Sequence, residues 1–196
     1  AVERNRPDVI EARRRYGEDM SAWDPRRLVF VDESGVNLAM TRSLARAPSG
    51  ERVIDHVPGG RWSNYSVIAG LRSNGIIAPM LLPGAMNTAS LRAWVIEVLC
   101  PNLQRDDIVI WDNLGIHTDS IVACAIAERG AWLQFLPAYS PDLNPIEKAW
   151  AKMKSTLRSI GPRKWRRLVA AVERALRAID DTDARGWFAH CGYTME

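Results

Sequence analysis

The chain has 196 residues, 47% apolar and 25% charged, which suits one globular domain able to bury its own core and excludes a disordered or fibrous protein. Its three cysteines, Cys100, Cys124 and Cys191, are widely spaced, with no CxxC and no Cys/His cluster, so a disulfide framework and a zinc module are excluded and a reducing compartment is expected. Net charge is only +3 but unevenly spread: residues 28–147 carry 8 basic and 12 acidic groups, while residues 148–177 carry 10 basic groups against Glu173 alone. That contrast suits an enzyme holding cations with carboxylates and a polyanion with Arg and Lys, and equally a solvated helix face.

In chain order, residues 7–20 predict an Arg-rich helix, and Asp24-Pro25 opens the next element. The run Leu28-Val29-Phe30-Val31-Asp32 predicts a strand that enters a tight turn at Glu33-Ser34-Gly35. Further strands are expected at residues 36–41, 65–72 and 76–82, the last two joined through Ser73-Asn74-Gly75, so the early strands pair antiparallel. The uncharged stretch 73–91 is broken by Asn74, Gly75, Pro79, Pro83, Gly84 and Asn87, and predicts strand and turns instead of a membrane span. A helix at 88–99, a strand at 108–111, a helix at 118–129 closed by Gly130 and a strand at 132–136 follow, then a Pro-rich loop and helices at about 146–160, 163–180 and 183–190. Hairpin strands followed by alternating strands and helices predict an α/β fold, a mixed sheet with helices on its faces. No signal peptide is visible, and the first residue is Ala1, as in a piece of a longer protein.

Two strands end alike. The period of two places Leu28, Phe30 and Asp32 on one face, and likewise Ile108, Ile110 and Asp112, with Asn113 next. Acids beyond the carboxyl ends of sheet strands stand where ligands gather in open α/β folds, although each could also simply start a turn. Glu147 is the third candidate, in Pro141-Asp142-Leu143-Asn144-Pro145-Ile146-Glu147-Lys148-Ala149-Trp150. There Asn144 suits an N-cap, Pro145 the first helical position and Glu147 a capping-box carboxylate. Along that helix Ile146, Trp150, Met153, Leu157 and Ile160 form an apolar stripe, while Glu147, Ala151, Lys154 and Arg158 share a neighbouring face. Three acids on separate elements suit hard divalent cations, with two ions acting on an in-line phosphodiester displacement.

Val31-Asp32-Glu33-Ser34-Gly35, Trp111-Asp112-Asn113 with His117, and the motif from Leu136 through Trp150 together resemble the mariner-like bacterial insertion-sequence transposases of the DDE endonuclease superfamily, from about residue 28 to 154. The 34 residues between Asp112 and Glu147 match the spacing of that branch. The resemblance implies a ribonuclease-H-like, mixed five-stranded sheet flanked by helices. It implies Asp32, Asp112 and Glu147 as catalytic metal ligands for two Mg²⁺ or Mn²⁺ ions, Asp32 and Asp112 bridging or flanking the ions and Glu147 holding the second. The implied function is hydrolytic cutting at transposon ends and strand transfer into target DNA, by a homodimer in the bacterial cytoplasm at the nucleoid. Family members usually carry amino-terminal helix-turn-helix modules, for which nothing ahead of Leu28 has room, so a catalytic fragment or the second of two reading frames, with a missing recognition region or companion chain, is expected. The expected organisation is a helical lead-in at 1–27, the catalytic domain at 28–160 and a helical extension at 161–196.

Asn113 and His117 are expected to support the site, His117 orienting a phosphate or a metal-bound water or else serving as a polar residue at a helix start. Lys148, Lys154 and Arg158 are expected to track a phosphate backbone, and Arg61 and Trp62 to reach DNA from a loop, the indole by stacking. Tyr139 and Asn144 shape the loop beside the site. Trp150, and Trp165 with Leu168, Val169, Val172, Leu176 and Ile179, sit at helical spacing and are expected in the core. Three competing expectations remain: a DNA-binding or assembly remnant without turnover, a general nuclease of the same fold, and metal-free acid/base hydrolysis by paired carboxylates.

Overall fold

The structure is a computed structural model describing residues 2–42, 44–60, 62–112 and 119–194. Its sheet comprises β1 (Leu28–Asn37), β2 (Asn64–Arg72), β3 (Gly75–Pro83), β4 (Ile108–Trp111) and β5 (Trp132–Phe135) in the order β3-β2-β1-β4-β5. β1, β2 and β3 pair antiparallel, whereas β4 runs parallel to both β1 and β5. The helices are α1 (Pro7–Met20), α2 (Thr88–Trp94), α3 (Ser120–Glu128), α4 (Ile146–Ile160), α5 (Trp165–Arg177) and α6 (Asp181–His190). This is the expected mixed five-stranded sheet flanked by helices.

Both faces of β1 are covered, which is why its first four residues form an unbroken apolar run. Val29 and Val31 pack with Leu91 and Trp94 of α2 and with Val122 and Ile126 of α3. Leu28 and Phe30 point the other way, into a cluster with Trp150, Met153, Leu168 and Phe188 from α4, α5 and α6. Tyr16 of α1 and Tyr193 near the carboxyl end belong to that second cluster.

Several local expectations change. β1 does not turn at Glu33-Ser34-Gly35; its ladder with β2 continues from Phe30–Leu71 to Asn37–Asn64. Ser34 and Val36 are buried while Gly35 is exposed, the alternation of a strand. A long antiparallel partner offers this segment a full set of backbone hydrogen bonds, and that outweighs its turn-like composition. Of the strand expected at 36–41, only Val36 and Asn37 are in the sheet. The hairpin expected at 73–75 is present, with Gly75 at φ 130°, a conformation open to glycine alone. The helix expected at 88–99 ends its α-helical part at Trp94 and widens into a π-helical turn at Val95–Leu99.

α4 buries Ile146, Trp150, Met153 and Leu157, and Gly161, at φ 60°, closes it through a hydrogen bond from its N–H to the Leu157 carbonyl. Ile160, by contrast, is exposed. In α5 Leu168, Val172 and Leu176 are buried, but Trp165 and Val169 are exposed. Trp165 is the first residue of its helix and stacks on Tyr65, ring centroids 4.8 Å apart, instead of entering the core. Among the described residues, no helix is long and apolar enough to cross a membrane.

Candidate active site

Asp32 lies midway along β1 on the α4 side of the sheet, half-buried, while the chain on either side of it remains paired with β2. The parallel register pairs Phe30 with Ile110, and carrying it two residues onward sets Asp32 beside Asp112, the residue that follows β4. Period-two alternation therefore brings both acids to the face formed by Leu28, Phe30 and Ile110, as the sequence predicts. Glu147 enters from the first turn of α4 with its side chain exposed.

These three carboxylates line one cleft of about 420 Å³, together with Asn144 and the loop that joins β5 to α4. Asp32 accepts a hydrogen bond on Oδ1 from the Glu33 N–H at 2.8 Å and one on Oδ2 from the Trp150 indole N–H at 3.1 Å. Burial and then the negative charge of Glu147 push its carboxyl up to about 7, against the opposing effect of the Glu33 N–H and with lesser contributions from the charges of Glu33 and Asp112. Glu147 outweighs Asp112 in that effect, so α4 contributes its charge directly to the Asp32 environment.

The capping box expected for Glu147 is not made. α4 starts after Pro145 with no side-chain cap, and Asn144 instead is buried, its Oδ1 with no hydrogen-bond partner among the described residues. Glu147 is consequently left facing the cleft. Trp150 combines two roles: it fills the core as its helical spacing predicts, and its indole N–H reaches the carboxylate of Asp32. The second role has no signal in the sequence beyond its lying three residues after Glu147.

Lys148 and Arg158 are exposed and Lys154 is half-buried. None of the three makes an ion pair among the described residues, whereas Lys152 is spent on Asp183. Trp62 is half-buried in the segment between β1 and β2. Arg61, Asn113 and His117 lie outside the described residues. The sequence singled out nothing in α1 or at Ser140, yet Arg13 of α1 donates to Ser140 Oγ at 2.6 Å, at the back of the cleft loop.

Among the described residues that line the cleft, all charged donors are carboxylate oxygens, the ligand type that Mg²⁺ and Mn²⁺ take. Among the described residues no group of three or more His, Cys, Asp or Glu side chains is drawn together into a ready-made cage.

Residues 27–168 match the family described as DDE superfamily endonuclease. The chain is 27% identical over 185 residues to the transposable element Tcb1 transposase of Caenorhabditis briggsae, covering 88% of this chain and 68% of that protein. In fold it is similar to the Mos1 mariner transposase in a paired-end complex with Mn, with TM-score 0.77 and 21% identity over 95% of this chain. It spans only 60% of that Mos1 chain. Against the isolated Mos1 catalytic domain the TM-score is 0.67 at 19% identity, and 87% of that domain is covered. With most of its length matched by the family model, and with an aspartate midway along β1, one just past β4 and a helix glutamate on one cleft, the chain belongs to the DDE superfamily endonucleases.

Proposed function

We propose that this chain is the catalytic domain of a DNA transposase that cleaves phosphodiester bonds at transposon ends and joins the freed 3′ ends to target DNA. The observation that carries the proposal is the convergence of Asp32, Asp112 and Glu147, from β1, the end of β4 and α4, on one cleft. Asp32, Asp112 and Glu147 would hold two Mg²⁺ or Mn²⁺ ions. When bound, such ions stabilise charge on the attacking and leaving oxygens and activate a water or 3′-hydroxyl. The protein's own contribution is positional. Trp150 and the Glu33 N–H hold both oxygens of Asp32, and the parallel register of β1 and β4, carried past Phe30 and Ile110, would keep Asp112 on the same cleft.

The cations on α4 continue from the cleft along the helix, where they would meet the phosphate backbone of duplex DNA. Solved Mos1 relatives are paired-end complexes and a strand transfer complex, which supports double-stranded DNA as substrate and a homodimer as the acting form. Recognition of specific ends is assigned to a region or companion chain beyond these residues. Bacterial origin and action at the nucleoid are part of the same proposal.

The test is nicking of supercoiled plasmid with Mn²⁺, comparing this chain with Asp112→Ala and a chelator control. Nicking that disappears in both controls is the expected result, followed by joining of a precut end to plasmid. Cleavage without joining would make the protein a general nuclease, and nicking that persists in chelator would refute the two-ion site. A folded chain that neither nicks nor joins, even with a recognition region restored, would be an inert remnant.

A further inference from the structure

The loop that lines the cleft is held from behind by elements at the two ends of the chain. Arg13, in the middle of α1, directs its whole guanidinium at this loop: Nη1 donates to Ser140 Oγ at 2.6 Å and to Asp142 Oδ1 at 3.1 Å, and Nη2 donates to Asp142 Oδ2 at 2.8 Å. Such a two-pronged fork fixes direction as well as distance, which a lysine could not do. Ser140 relays the tie by donating to the Ala138 carbonyl at 3.1 Å, and Arg4 adds a second guanidinium on Asp142 at 2.9 Å. Arg13, against the opposing effect of burial and with a smaller contribution from Arg4, holds the Asp142 carboxyl below the usual carboxylate range. From the other end, the Tyr193 hydroxyl donates to the Leu143 carbonyl and sits 2.9 Å from the Tyr16 hydroxyl.

Two properties of the loop make these ties consequential. Tyr139 is held at φ 56°, a left-handed conformation that costs a non-glycine residue roughly 1–3 kcal/mol and persists only where the surroundings impose it. Downstream, α4 begins without a side-chain cap among the described residues, so locally only backbone hydrogen bonds such as that from the Glu147 N–H to the Asn144 carbonyl hold the direction in which Glu147 emerges. A strained, uncapped connection would relax unless anchored, and Arg13 anchors it between Tyr139 and Glu147. The Arg13 side chain is only 18% exposed, unlike the pairs that Arg14 and Arg15 make with Glu11 and Glu18 along the outside of α1.

We propose that Arg13 is a positioning residue of the active site, clamping Ser140 and Asp142 so that the loop presents Glu147 to the cleft shared with Asp32 and Asp112. The proposal rests on the reading of that cleft as a divalent-metal site. Its test uses the whole chain as Arg13→Ala, Arg13→Lys and Asp142→Asn variants, with Arg14→Ala as a control that removes charge from the same helix at a residue whose ion pairs are with Glu11 and Glu18 of α1.

The first measurement is hydrogen exchange in metal-free buffer at the amides of Leu143, Asn144 and Glu147, which donate to the carbonyls of Ser140, Pro141 and Asn144. Exchange there should quicken at least tenfold in Arg13→Ala and Asp142→Asn, while the β1 and β2 amides keep their protection and Arg14→Ala behaves as the parent. The second is calorimetric Mn²⁺ binding, alongside plasmid nicking at saturating DNA. Mn²⁺ affinity and kcat should each fall about tenfold with KM for DNA within twofold, and Arg13→Lys, which keeps the charge and the fold but not the fork, should recover less than a third of the loss. Unchanged exchange at those three amides would overturn the proposal. So would quickened exchange with Mn²⁺ affinity and kcat within twofold of the parent, which would make the clamp structural only. If the parent binds Mn²⁺ no better than Asp112→Ala, the metal-site reading fails, and the exchange comparison alone then decides whether Arg13 holds the loop.

Discussion

Asp32 concentrates the electrostatics of the cleft in one side chain. Its carboxyl is pushed up to about 7 from an ordinary 3.8, so between those values the folded state holds a proton that the unfolded state has released. The stability it contributes is fully present below about pH 4 and is lost as pH rises through about 7. Asp32→Asn, which keeps an acceptor for the Glu33 N–H, should flatten that pH dependence and raise metal-free stability at pH 8 by on the order of a few kcal/mol, while abolishing nicking. Urea unfolding at pH 4, 6 and 8 in chelator reads this directly, and a variant no more stable than the parent at pH 8 would mean that Asp32 carries no such burden. The same proton competes with cations, so Mn²⁺ affinity in the parent should fall by up to about tenfold per pH unit below 7. At this scale the sequence was informative about the aspartates, because alternation along a strand decides which face a side chain takes. It was silent about Arg13 and Ser140, since a contact across 127 positions leaves no mark on local periodicity.

At the scale of elements, α4 is where core and chemistry share one helix. Its buried stripe of Ile146, Trp150, Met153 and Leu157 sets its rotation, and that rotation turns Glu147, Lys154 and Arg158 toward one side. If those cations track DNA phosphates, the double variant Lys154→Ala/Arg158→Ala should weaken duplex binding about tenfold at low salt, equally for unrelated sequences. It should also reduce the slope of log affinity against log salt by roughly 1.8, about 0.9 for each lost contact. Fluorescence anisotropy over a salt series measures both quantities, and an unchanged slope would exclude phosphate contact by these two residues. The bounds of α4 were legible because proline, an apolar stripe and Gly161 mark them in the chain. The course of β1 through Glu33-Ser34-Gly35 was not, because it depends on eight paired positions in β1 and β2 that lie far apart in sequence. Trp165 misled for a related reason: helical spacing identifies a side of α5, but not where the sheet beneath it ends.

Across the whole molecule, the two ends of the sheet have different work. The middle of β1 and the carboxyl end of β4 bring like charges together beside Asp32, which destabilises the metal-free fold. The opposite end, where β2 finishes and β4 begins, carries a fully compensated pair: Arg72 donates to Asp107 Oδ1 at 3.0 Å and to the Asn102 carbonyl at 3.0 Å, and Asp107 is completely buried. Asp107 also accepts from the Gln104 N–H, so its lone pairs are satisfied by a guanidinium and the backbone. A buried pair of this kind is weak evidence of net stabilisation, but breaking one half leaves the other charge stranded, at a cost of about 3–5 kcal/mol. Asp107→Asn should therefore lower the urea midpoint strongly. If the two ends act independently, the variant should still nick plasmid within twofold of the parent at a temperature well below its unfolding transition, because β1 stays paired with β2 from Phe30 to Asn37, on both sides of Asp32. A variant that remains folded but loses nicking more than tenfold would show instead that the ion pair and the carboxylate cleft are coupled through β4, the short strand that carries Asp107 ahead of its first residue and Asp112 after its last.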